Sequence, residues 1–194
     1  MGDVRKRPRL LLHVCCAPCA TAVIERLQLD YDLVLLWYNP NITDPAEHEK
    51  RLQEARRYAE GLGLPLSAPP QAPEAWQAAV CGLEAEPEGG LRCDVCFGLR
   101  LRAAAKAARE LGIARFTTTL SISPHKSFEK IRAAGKAAGD ETGEEFLALD
   151  FKKQAGFQRS TQLAAEHDLY RQDYCGCEYS KREAEARRTR STRR

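Results

Sequence analysis

The 194-residue sequence predicts an α/β protein built on a Rossmann-like parallel sheet flanked by helices. Two apolar runs, around Leu10-Leu11-Leu12 and over residues 31–38, have the composition of strands buried on both faces. The segment between them carries apolar residues at helical spacing and is long enough for the crossover that parallel strands require. Strand-like and helical segments then keep alternating, which implies helices on both faces of one sheet.

In order, residues 10–14 read as a buried strand, residues 19–29 as a helix with Ala22, Val23, Ile24 and Leu27 inward, and residues 31–38 as a second strand. Asn39-Pro40-Asn41-Ile42-Thr43-Asp44-Pro45 breaks that strand, and Thr43 or Asp44 can cap a helix over residues 45–62. Gly63 closes it, residues 64–67 suit a short strand, and residues 73–80 a small helix. Residues 81–90 read as a loop, after which Arg92-Cys93-Asp94-Val95-Cys96 opens a long Ala/Leu/Arg helix to residue 111. Residues 114–120 read as a strand rich in threonine, and Ser123-Pro124 as the start of a helix to residue 138. A last strand is expected over residues 146–151 and a last helix over residues 157–167. No internal repeat is visible.

Length and 43% hydrophobic content suit one globular unit, expected over residues 1–180. The net charge of +3 is misleading, because residues 181–194 hold seven basic and two acidic residues, leaving the rest at −2. That basic segment is expected to be a flexible tail able to meet a polyanion. Met1-Gly2-Asp3-Val4-Arg5-Lys6 lacks the apolar stretch of a secretory signal, Lys6 spoils a myristoylation match, and no run is long enough to span a membrane. A cytoplasmic location is expected, where eight cysteines point to metal or redox chemistry more than to stable disulfides.

The cysteines fall in short-spaced groups. His13-Val14-Cys15-Cys16-Ala17-Pro18-Cys19 puts three thiols where the first strand meets a helix, although small apolar cysteines also fill core turns. Cys16-Ala17-Pro18-Cys19 is itself a CxxC at a helix N-terminus, where the dipole favours thiolate and hence redox chemistry. Cys15-Cys16 and Cys93-Cys96 could instead close one metal site; an adjacent pair is atypical of zinc and suits the wider corners of an iron–sulfur cluster. Cys19 is either a further ligand or packing beneath the site. Cys175-Gly176-Cys177 would close a strained, labile disulfide, which suits a reversible dithiol couple more than two further ligands. Asn39 and Asn41 hold turn geometry or hydrogen-bond a polar substrate at the rim. Tyr170 and Arg171, with Tyr174 and Tyr179, could stack on a base or hold a phosphate.

Five blocks carry a resemblance: residues 13–19, Tyr38-Asn39-Pro40-Asn41-Ile42, Arg92-Cys93-Asp94-Val95-Cys96-Phe97-Gly98-Leu99-Arg100-Leu101, Thr118-Thr119-Leu120-Ser121-Ile122-Ser123-Pro124, and Tyr170-Arg171-Gln172-Asp173-Tyr174-Cys175-Gly176-Cys177-Glu178-Tyr179-Ser180. Together and in order over residues 10–180, they resemble the cobalamin-independent epoxyqueuosine reductases, the QueH family. The resemblance implies a HUP-like (adenine-nucleotide-hydrolase-like) variant of the fold and reduction of the epoxide of epoxyqueuosine, at the wobble position of tRNA, to the cyclopentene of queuosine. It further implies a 4Fe-4S cluster on Cys15, Cys16, Cys93 and Cys96, an additional iron nearby, a redox-active disulfide of Cys175 and Cys177, and an external electron donor. Ser123 is a further expected substrate contact. Relatives often read Ser-Pro-Tyr-Gln where this chain has Ser123-Pro124-His125-Lys126, so a phenol role at that position does not carry over. Two other readings compete. A pyrophosphatase-loop tRNA-sulfurating enzyme shares the sheet but needs a Gly/Ser-rich phosphate loop, absent from Cys15-Cys16-Ala17-Pro18-Cys19; a zinc-stabilised RNA-binding module would be colourless.

Overall fold

A computed structural model describes residues 7–192; the N-terminal stretch read for targeting and the last two residues of the basic tail lie outside the described residues. The sheet comprises β1 (Arg9–His13), β2 (Asp32–Leu36), β3 (Leu66–Ser67), β4 (Arg115–Thr118) and β5 (Glu145–Phe146), in the order β3-β2-β1-β4-β5 with every pairing parallel. Around it lie α1 (Ala17–Leu27), α2 (Pro45–Gly61), α3 (Pro73–Ala79), α4 (Leu91–Glu110), α5 (Phe128–Thr142), α6 (Gly156–Glu166) and α7 (Glu178–Thr192).

The apolar run of β1 explains the layering. Successive strand side chains alternate faces, so Leu10 and Leu12 enter one core with α1, α2 and α6, while Leu11 enters another with α4 and α5. All three leucines are 0% exposed, as a central parallel strand covered on both sides requires. The chain walks outward from β1 to β3, then returns to β4 on the other side of β1. Loops after β1 and β4 therefore part in opposite directions, leaving the crevice in which such sheets place their sites.

Several element boundaries differ from expectation. Helix α1 starts at Ala17, before Cys19, because Cys16 acts as its N-cap: the Cys16 Sγ accepts the Cys19 N–H at 3.4 Å. The strand expected over residues 114–120 stops at Thr118, whose hydroxyl accepts the Leu120 N–H at 3.1 Å and turns the chain into a 3-10 turn, Thr119–Ile122. The helix expected from Ser123-Pro124 begins at Phe128, since Ser127 supplies the cap by accepting the Lys130 N–H. The strand expected over residues 146–151 pairs only at Glu145–Phe146; beyond it, Thr117 and Ser121 hydroxyls donate to the Leu147 and Leu149 carbonyls at 2.8 and 2.7 Å. Side chains thus replace the backbone ladder. The basic segment expected as a flexible tail is helical to Thr192, anchored by buried Ala184 and by ion pairs of Lys181 with Asp44 and Glu183 with Arg92.

Leu11→Ala should lower the unfolding free energy by about 2–5 kcal/mol in urea denaturation, the range for emptying a leucine site in a core that relaxes only partly.

Candidate active site

The site begins with a buried imidazole. His13 ends β1 with Nε2 3.1 Å from the Tyr38 carbonyl and Nδ1 2.8 Å from the Thr118 hydroxyl. Nε2 therefore donates and Nδ1 accepts, which is the neutral form. Burial, reinforced by the Arg100 charge, pushes the His13 pKa down to about 3. One uncharged ring thereby joins the ends of β1 and β4 to the segment following β2.

Cys15 follows two residues later. Its N–H donates to the Thr119 hydroxyl at 2.9 Å, and that hydroxyl lies 3.1 Å from the Cys15 sulfur, positioned to donate to it. The sulfurs of Cys15, Cys16 and Cys19 lie within 4.8 Å of one another, with Cys15 and Cys16 4.0 Å apart. Hydrogen bonds from Cys16 and Cys19 hold Cys15 well below the ordinary thiol range, making it the thiolate of the trio. Its bond with that thiolate, with burial adding, pushes Cys16 up to about 12. The trio lines a cavity of about 750 Å³, together with Arg100, Ser123, His125, Lys126, Arg171 and Cys175.

A second, smaller cavity adjoins it. Cys93 and Cys96, one helical turn apart at the start of α4, line it with Asn41, Trp76, Cys175 and Cys177. Burial raises both α4 thiols, Cys96 to about 11; Cys93 also accepts the Gly89 N–H at 3.2 Å. Cys177 precedes α7 as Cys16 precedes α1, its sulfur accepting the Ser180 N–H at 3.4 Å. The structure thus places Cys93 and Cys96 beside Cys175 and Cys177, while Cys15 and Cys16 sit with Cys19; Cys175 lines both cavities. Cys81 is exposed elsewhere.

Two cations join the halves. Arg100, a turn after Cys96 on α4, is 2% exposed and is held by the Asn39 carboxamide oxygen. Burial acts to lower its pKa, but electrostatic interaction with the nearby sulfurs, Cys96 and Cys15 among them, outweighs it and raises the net value. Lys126 lines both cavities; burial again acts downward, and electrostatic interaction with the nearby cysteine sulfurs holds it above the ordinary lysine range. The sequence signal for Arg100 was its i, i+4 relation to Cys96; nothing local marked its partner Asn39.

The expected substrate contacts divide. Asn39 is 0% exposed, with its amide nitrogen donating to the Val14 carbonyl at 3.0 Å and its oxygen on Arg100, so it aligns α4 with β1. Asn41 is 1% exposed, and beside the smaller cavity its carboxamide oxygen has no hydrogen-bond partner among the described residues. Ser123 and Arg171 line the larger one. Tyr170 lines neither; its hydroxyl donates to Glu47 at 3.2 Å and Lys50 sits 3.5 Å over its ring.

Sequence reasoning also passed over Arg51. This 2%-exposed side chain pairs with Glu47 at 2.6 Å and donates to the Cys175 and Tyr174 carbonyls at 3.1 and 3.4 Å, fixing the thiol pair against α2. Gly176 has φ +129°, and a Cβ there would lie 2.8 Å from Ile42 and 3.1 Å from Arg51. Glycine is required on both counts.

Fold and site define a class: a Rossmann-like α/β protein with a cysteine-built site at the switch point of its sheet, and no glycine in the turn from β1 to α1. A family model described as epoxyqueuosine reductase QueH matches residues 10–183. The chain is 38% identical over 180 residues to the epoxyqueuosine reductase QueH of Streptococcus pyogenes serotype M1, covering 90% of this chain and 71% of that one. It is 34% identical over 174 residues to that of Thermotoga maritima, covering 88% and 89%. The chain belongs to the epoxyqueuosine reductase QueH family. In fold it is similar to the U34-tRNA thiolase NcsA from Methanococcus maripaludis with its [4Fe-4S] cluster, at TM-score 0.57 and 11% identity, over 91% of this chain and 62% of that one. It is likewise similar to a predicted subunit of tRNA methyltransferase from Methanocaldococcus jannaschii, at TM-score 0.54 and 12% identity, over 82% and 75%.

Gly176→Ala should lower the melting temperature by roughly 2–4 °C or more, as a clash and an alanine at positive φ together exceed about 1 kcal/mol. An unchanged melting temperature would show that the segment yields without cost.

Proposed function

We infer that this protein reduces epoxyqueuosine in tRNA to queuosine, with the thiol-lined crevice as its reaction centre. The observation that carries the reading is the convergence of seven of the eight cysteines on two adjoining cavities at the switch point. Conversion of the epoxide to an alkene consumes two electrons and two protons and releases the oxygen as water. Oxidation of the Cys175 and Cys177 thiols to a disulfide supplies two of each, so one turnover balances. An external reductant then restores the dithiol.

The donor set suits an iron–sulfur cluster. Thiols from the turn into α1, from α4 and from the residues before α7 line two adjoining cavities, and the cations Arg100 and Lys126 stand among them to offset the charge of a thiolate ligand set. We assign the ligands as Cys15, Cys16, Cys93 and Cys96, leaving Cys19 as a ligand for an additional iron. When bound, such a cluster supplies electron relay and Lewis acidity toward an epoxide oxygen. Thr119 and the Cys16 cap hold the sulfurs of the first pair, Asn39 sets Arg100 beside them, and Arg51 holds Cys175 where it lines both cavities. Asn41, whose carboxamide oxygen has no partner among the described residues, Ser123 and Arg171 are the substrate contacts this reading favours.

The test uses anaerobically purified protein and epoxyqueuosine-containing tRNA, read by nucleoside mass analysis. Cys15→Ser and Cys93→Ser should lose iron, labile sulfide and visible absorbance; full iron content in either refutes the ligand assignment. Cys175→Ser and Cys177→Ser should keep the iron and lose multiple turnover, and sustained turnover in either refutes the dithiol role.

A further inference from the structure

Helix α7 continues past residue 183, where the family match ends, to Thr192. Buried Ser180 and Ala184 mark its inward stripe, and Arg187, three residues on, extends that stripe to the mouth of the larger cavity. The helix is anchored there: Lys181 pairs with Asp44 at 3.4 Å, Glu183 with Arg92 at 3.5 Å, and Arg188 with Asp173. Asp173 and Glu88 are the acids of the cavity lining, and the first is already taken by Arg188. Arg171 and Arg187 are both exposed at this mouth and make no hydrogen bond or ion pair among the described residues.

An aromatic ring joins them. Phe157, 36% exposed, lines the same cavity from the first turn of α6. Its placement is enforced: Gln154 and Ala155 adopt positive φ of 54° and 56°, uncommon for residues other than glycine, and Arg26 donates to the Lys153 and Gln154 carbonyls at 3.1 and 3.0 Å. A Cβ on Gly156 would lie 1.9 Å from the Phe151 carbonyl oxygen, so the tight approach that starts α6 demands glycine. An otherwise costly turn thus holds a ring at the rim of a polar cavity.

Unpaired guanidinium groups beside an exposed ring are the elements of a single-stranded nucleic-acid grip, the cations taking phosphates and the ring a base face. We propose that Arg171 and Arg187 bind backbone phosphates of the tRNA anticodon loop flanking the modified nucleotide, and that Phe157 stacks on a base of that loop. The proposal rests on the tRNA substrate inferred above and makes the C-terminal helix, beyond the family match, part of the RNA-binding surface.

The test is binding of a fluorescein-labelled, unmodified anticodon stem-loop to the anaerobically purified full chain, followed by anisotropy over a salt series. Arg171→Gln and Arg187→Gln should each weaken binding and flatten the log Kd against log salt slope by about 0.7, the loss of one single-strand phosphate contact. Phe157→Ala should weaken binding by about tenfold with the slope unchanged, as loss of stacking requires. Arg187→Lys should restore the slope, and Arg109→Gln, at the far end of α4, should match wild type. Arginine variants with wild-type affinity and slope would overturn the proposal. The measurement needs no turnover: a wild-type protein that binds with these signatures yet leaves epoxyqueuosine unreduced would refute the reaction, not the RNA surface.

Discussion

The buried, neutral imidazole of His13 is the bond on which the site depends. By donating to the Tyr38 carbonyl and accepting from Thr118, it sets the distance between the loops that leave β1 and β4. Thr119 then meets Cys15, and Asn39, one residue past Tyr38, meets both the Val14 carbonyl and Arg100. Each step passes position from a strand end to a side chain. The thiols inherit their geometry from the sheet, and the helices supply only their caps and charges.

The two cavities show how the same residue type serves different surroundings. The Cys15 sulfur sits among neighbours that stabilise negative charge, whereas Cys96 and Cys177 are 7% exposed in an apolar pocket with Trp76 and Val80. Burial favours the protonated thiol there. Acidic and reluctant thiols therefore lie side by side, with Cys175 on the shared wall.

Much of this was legible in the sequence because it is local. Leu10-Leu11-Leu12 has the composition of a doubly covered strand, Cys93 and Cys96 sit one helical turn apart, and Asp44 caps α2 where Thr43 or Asp44 was expected to. The start of α5 was not legible, since Ser123-Pro124 and Ser127 both carry start signals and it is Ser127 that caps the helix by accepting the Lys130 N–H. The pairing of Cys93 and Cys96 with the 175–177 segment was also hidden: it depends on Arg51 of α2 gripping carbonyls far along the chain. Polar on nearly every face, α7 carries no periodic apolar signal, and its course is set by ion pairs with distant residues.

Arg100 carries a consequence for folding itself. A guanidinium cannot shed its proton in a protein, so this 2%-exposed group is a permanent positive charge inside the domain, with its Nε lacking a hydrogen-bond partner among the described residues. Asn39 can hold it but cannot neutralise it. Among the neighbouring sulfurs it is Cys15, held well below the ordinary thiol range, that answers this charge. The acidity of Cys15 is therefore matched to a charge buried in the core, and the chemistry draws on a balance that the folded chain holds before any substrate arrives.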